Sequence, residues 1–154
     1  MRNLIVAEAE SWIGTAYHHM GRVKIRRDEQ GRILDPGGTD CGQLVYLVFH
    51  GLGLCCEAPL DYYPPDWHMH RDQERYLGMV LERAREIPSD LAAPGDVVLY
   101  RWGRLFAHGA ILVETGEYDQ IVHASAPDRA VVKTRADAGR LGRLKRRYFS
   151  VFAS

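Results

Sequence analysis

GGTDCGQLV, residues 37–45, sets one cysteine between a glycine-rich break and the start of an apolar helical run. Leu44, Val45, Leu47 and Val48 recur on one helical face, and Gly51 stands where a C-cap belongs. Asp40 occupies the N-cap position and Gln43 follows three residues later, as in a capping box. Cys41 therefore falls in the first turn of a helix. Unpaired amides at a helix N-terminus favour a thiolate, which is the nucleophilic form of cysteine. Gly37, Gly38 and Gly42 allow close approach of backbone and substrate, and free N–H groups at the helix start can hold an oxyanion. The plainer alternative makes Cys41 a small buried hydrophobe that happens to begin a helix.

Downstream the period changes from helical to extended. Strands are expected at 97–101, 107–113, 120–124, 130–134 and 147–152. His108 opens one of them in FAHGAILVE and His123 closes the next in IVHASA. A turn centred on Thr115 and Gly116 would set His108 directly opposite His123. That arrangement supplies a nucleophile, a base and an orienting group in Cys41, His108 and His123. A slip of one residue would send His123 to the other face of the sheet.

Upstream, Ile5, Ala9, Trp12 and Ile13 define a helix over 3–13, with Asn3 as N-cap and Gly14 as its stop. RVKIRRDEQGRIL, residues 22–34, reads as a polar hairpin turning through Asp28–Gly31. APLDYYPPDW, residues 58–67, holds three prolines and reads as an aromatic-rich surface crossing, with Trp67 exposed for recognition. Tyr76, Leu77, Val80, Leu81, Ala84 and Ile87 predict a further packing helix ended by Pro88. Helices come first and strands second, which predicts an α+β fold with a mostly antiparallel sheet of about five strands. The 154 residues suit one domain, 1–154, with the 22–34 hairpin as an insertion.

Acidic and basic residues balance at 20 each, so no global field calls for nucleic acid. Arg135, Arg140, Arg143, Lys145, Arg146 and Arg147 crowd the C-terminal end and read as a solvated face or a protein-docking patch. Three cysteines, two of them adjacent, make no disulfide framework. Neither a signal peptide nor an apolar stretch of bilayer length is visible, so synthesis in the cytoplasm and no membrane insertion are expected.

Five blocks in order, GTAY, TDCGQLV, PGDVVLY, AHGAILV and IVHAS, resemble the signature blocks of the NlpC-type cysteine peptidases. These are papain-like enzymes that cut stem peptides of bacterial cell walls. The resemblance spans about residues 11–125. WIGTAYHHMGRVK and DYYPPDW look most like members encoded in phages and phage-like particles and associated with tail tips. The resemblance implies Cys41 as nucleophile, His108 as general base and His123 as the orienting third member, with no cofactor and no metal. It implies that Tyr17 shapes the substrate and oxyanion region beside Asp40 and Gly42. The implied substrate is the peptidoglycan stem peptide, cut between D-glutamate and the diamino acid, and the implied partners are tail-tip or hub proteins of a virion. Two features depart from the family pattern. The usual Asp-Cys-Ser-Gly is Asp-Cys-Gly-Gln here, and the segment between Tyr17 and Cys41 is longer, so its hairpin either covers the cleft or docks the enzyme on a partner.

Two other readings compete. The fold could serve in tail-tip assembly or binding with weak or no turnover. Cys55, Cys56, His68 and His70 could in principle bind zinc, although their spacing is not that of a usual structural zinc motif.

Overall fold

The computed structural model describes residues 1–55, 78, 80–103 and 105–153. Residues 58–67, Cys56, His68, His70, Tyr76 and Leu77, on which several sequence expectations rest, lie outside that set.

Helix α1, Arg2–Ser11, buries Ile5 and Ala9. It begins two residues earlier than expected: Met1 is the N-cap and Asn3 lies inside the helix, with no side chain capping the end. Gly14 then turns the chain at φ +93°, a conformation that a side chain would strain. Four short strands follow. Arg22–Val23 (β1) pairs with Gly38–Thr39 (β4), and Arg26–Arg27 (β2) pairs with Ile33–Asp35 (β3). The tip closes where Asp28 Oδ1 accepts the amides of Gln30 and Arg32 and Gly31 adopts φ +81°.

Helix α2, Cys41–Gly51, is the central element, with Leu44, Val45, Val48 and Phe49 buried. Its C-terminal glycine is Gly53 rather than Gly51. At φ +71° Gly53 donates to the carbonyl of His50 and Leu54 donates to that of Phe49, both at 2.9 Å. This double closure is a Schellman motif, and it lets Gly51 remain helical.

One six-stranded sheet supports both helices. Its order is β5-β10-β6-β7-β8-β9, from Arg85–Ile87 (β5), Val97–Trp102 (β6), Leu105–Glu114 (β7), Gln120–Ser125 (β8), Ala130–Arg135 (β9) and Arg146–Ser150 (β10). Every neighbouring pair is antiparallel. The sixth strand comes from residues expected to be helical: the helix reaches only Leu81, and Arg85–Ile87 pairs with Ser150–Tyr148. Ala84 and Ile87 fit a helical spacing, but the strand adds a ladder and lets Glu86 ion-pair with Arg147 on β10. Tertiary pairing of this kind overrides a weak local preference.

Alternation along the strands sorts the core into two layers. Val97, Leu99, Ile111, Val113 and Val122 meet Ile5, Ala9, Leu44, Val45 and Phe49 of the helices. Val98, Tyr100, Ala110, Leu112 and Ile121 face the other way and are covered by Ala136, Leu141 and Tyr148. Leu141 belongs to a 3₁₀ turn, Gly139–Arg143, which the sequence pattern does not announce. That turn brings part of the basic C-terminal segment against the sheet. Among the described residues no helix is long and apolar enough to cross a membrane.

Candidate active site

Asp40 holds the start of α2 as the capping pattern suggests. Its Oδ1 accepts the Gln43 amide at 2.9 Å, and its Oδ2 accepts the Met20 amide at 2.8 Å. The reciprocal half of the capping box is absent. The Gln43 side chain instead accepts from Arg22 Nε at 2.7 Å, so it ties α2 to β1. The insertion is thus anchored beneath the helix start, and no residue of 22–34 lines the cleft described below.

Residues 14–18 run between β9 and β4. Tyr17 N–H donates to the carbonyl of Arg129 and His18 N–H to that of Thr39, both at 2.9 Å, while Thr39 N–H donates to Ala16 at 3.0 Å. Pinned on both sides, Tyr17 stands beside Cys41. Burial raises its hydroxyl far above the ordinary tyrosine value, with the negative forms of Cys41 and Asp40 adding to the rise.

His108 Nε2 and His123 Nδ1 lie 2.9 Å apart, and the two rings stand nearly perpendicular at 87°. The strand register that produces this contact differs from the expected one. Ile111 pairs with Val122 and Leu112 with Ile121, so the residue directly opposite His123 is Ala110, not His108. A five-residue connection and a bulge between Leu112 and Glu114 account for the difference. A shift of two residues preserves the face, and the histidines meet as diagonal neighbours within reach of long side chains.

Cys41, His108, His123 and Tyr17 line one cleft of about 400 Å³. The thiol is 5% exposed and lies within hydrogen-bonding reach of the amides of Gly109, Gly42 and Cys41 itself. Those amides lower the thiol pKa, as expected for a helix start, yet they do not prevail. Burial, with Asp40 adjoining, pushes the pKa well above the ordinary cysteine range. Burial also pulls His108 down to about 3, with His123 adding like-charge repulsion, and pulls His123 down to about 4 against the opposing pull of Asp128. Burial therefore disfavours the charged forms of the thiol and of both imidazoles in this packing.

Of the predicted site residues, Cys41, His108, His123 and Tyr17 share the cleft, Gly42 contributes an amide, and Asp40 acts from beneath the helix. Sequence reasoning missed Gly109, whose amide reaches the Cys41 thiol, and Trp102 and Arg140, which line the same cleft.

A helix that begins with a thiol and packs on an antiparallel sheet carrying a histidine pair is the papain-like α+β fold of the NlpC type. Solved structures agree. The chain superposes on the NlpC/p60 domain of the peptidoglycan hydrolase SagA at TM-score 0.59 and 22% identity, covering 96% of this chain and 97% of that one. NlpC2 from Trichomonas vaginalis gives 0.58 at 14% identity over 94% of this chain and 44% of that one. An N-acetylmuramoyl-L-alanine amidase from Bacteroides uniformis gives 0.51 at 13% identity over 95% and 98%. At these identities the likeness is one of fold. No family model and no curated protein matches the sequence.

Proposed function

We propose that this chain is a cysteine endopeptidase that hydrolyses peptide bonds in peptidoglycan stem peptides, between D-glutamate and the diamino acid, as a component of a phage or phage-like tail tip. The observation that carries the chemistry is the convergence of Cys41, His108 and His123 on one cleft, with the histidines in contact at 2.9 Å. Substrate class is supported by the fold neighbours, two of which bear cell-wall hydrolase names. The tail-tip setting rests on the sequence resemblance around residues 11–24 and 61–67.

In the proposed mechanism His108 accepts the Cys41 proton as the sulfur attacks the peptide carbonyl. The oxyanion is held by the amide of Cys41 and neighbouring donors, and His108 returns the proton to the leaving amine. Water activated by His108 then releases the acyl group. His123 orients His108 throughout. Mass spectrometry of muropeptides from sacculi treated with wild type and Cys41→Ala tests this reading. Products cut within the stem peptide by wild type alone support it, and a cut at the lactyl–alanine link would make the enzyme an amidase instead.

The burial of Cys41, which is only 5% exposed, favours a second reading, a tail-tip binding or assembly domain with weak or no turnover. Intact sacculi after prolonged incubation, with retained binding to them, would support that alternative.

A further inference from the structure

We infer that Arg140, whose guanidinium carbon lies over the Trp102 ring, is the cleft's recognition site for a substrate carboxylate, so that the preferred substrate is a peptide bearing an unamidated carboxyl group near the scissile bond. This inference rests on the peptidase reading and specifies its substrate.

Among the described residues lining the cleft, Arg140 is the one cationic side chain and Asp128 the one carboxylate. The two differ in what holds them. Asp128 Oδ2 accepts from the Ser125 hydroxyl at 2.7 Å, and the Asp128 amide donates back to that hydroxyl, so the carboxylate is engaged in its own turn. Neighbouring arginines are also engaged: Arg135 with Asp137, and Arg147 with Glu86. Arg140 makes no hydrogen bond or ion pair to a described residue. Its guanidinium carbon sits 4.2 Å from the centre of the Trp102 ring.

A guanidinium drawn to the face of an aromatic ring keeps N–H donors that the ring does not use, and those donors can grip a carboxylate with two parallel hydrogen bonds. The contact also restrains a long side chain that would otherwise lose rotamer freedom on binding. Trp102 in turn stands 5.6 Å, centre to centre, from the His108 ring. The guanidinium is thus at most about 10 Å from the base. An extended chain covers that distance in about three residues. With a cation on the Trp102 side and a carboxylate on the β8–β9 turn, the cleft orients an anionic peptide with its charge toward Trp102.

The test uses two probes, the stem tripeptide L-Ala–γ-D-Glu–L-Lys and the same tripeptide with both carboxyls as carboxamides. Calorimetric titration of the Cys41→Ala protein measures binding without turnover. The carboxylate form is expected to bind about tenfold or more tightly than the carboxamide. Arg140→Ala in the same background should abolish the difference while binding the carboxamide as before, and Arg140→Lys should keep part of it. Equal affinity for both probes, binding of neither, or a preference that survives Arg140→Ala would overturn the inference. Cleavage of sacculi by wild type separates the two claims: cleavage without the preference removes the carboxylate site and leaves the peptidase, whereas the preference without cleavage does the reverse.

Discussion

His108 Nε2 and His123 Nδ1 lie 2.9 Å apart, at hydrogen-bonding distance. With both rings neutral, one nitrogen must donate and the other accept. If His108 donates, its Nδ1 carries a lone pair and can take the thiol proton; the opposite tautomer leaves no base. On the proposed mechanism His123 would select the working tautomer of His108, as the carboxylate does in other triads. His123→Ala should lower kcat by about a hundredfold with KM nearly unchanged, and His108→Ala should lower it further. Steady-state hydrolysis of a stem peptide gives both constants; a KM effect alone would remove His123 from the mechanism.

Depressed imidazoles make a prediction about acid. Burial pulls His108 down to about 3 and His123 down to about 4 from an ordinary 6.5. Between those values the unfolded chain binds protons that the folded chain refuses, so stability is lost as pH falls from 6.5 toward 4. Urea midpoints measured at pH 7 and pH 5 should fall, and the fall should shrink in His108→Gln/His123→Gln. The base stays neutral across this window, so kcat/KM should show no acid limb at 6.5. An inflection there would place a solvated histidine in the base's role.

The residues that meet in the cleft were legible in the sequence because their signals are local: a cap, a cysteine, and histidines on period-two strands. The register was not, because a bulge between Leu112 and Glu114 is invisible to alternation, and only the evenness of the resulting shift kept the histidines on one face. Strand β5 was hidden because Ala84 and Ile87 also satisfy a helical period. The turn carrying Arg140 has no period at all and is placed by Leu141 covering the outer sheet face. The upward pull of burial on the Cys41 thiol was hidden for a different reason. Helix-start amides can be counted from sequence, whereas the burial that outweighs them is a property of the packed fold.

Gln43 marks the departure beside the thiol that most alters local structure. It is fully buried and accepts from Arg22 at 2.7 Å, and the Arg22 guanidinium also lies over the Tyr46 ring. Gln43→Ala takes away the acceptor of a charge-assisted hydrogen bond in a dry site and should cost about 2 kcal/mol of unfolding free energy. Urea denaturation at pH 7 measures it. A change within about 0.5 kcal/mol would show that the insertion is not fastened to α2 through this pair.

Asp40 performs two tasks that oppose each other. Its carboxylate caps α2 through Gln43 and receives the Met20 amide, which steadies the site; its charge also helps to hold the Cys41 thiol protonated. Asp40→Asn keeps one oxygen acceptor, removes the charge, and turns an amino group toward whichever backbone N–H faced the other oxygen. Stability should fall by about 1–2 kcal/mol, the range for a damaged cap. The thiol pKa should move the other way, downward, because the negative neighbour is gone while the amides of Gly109, Gly42 and Cys41 remain. Alkylation of Cys41 by iodoacetamide, followed by peptide mass mapping from pH 7 to 10, reads this directly. Faster alkylation in a less stable protein is the expected pair of results, and it would separate the electrostatic role of Asp40 from its capping role. If alkylation slows in step with stability, the charge has no hold on the thiol and Asp40 serves the helix alone.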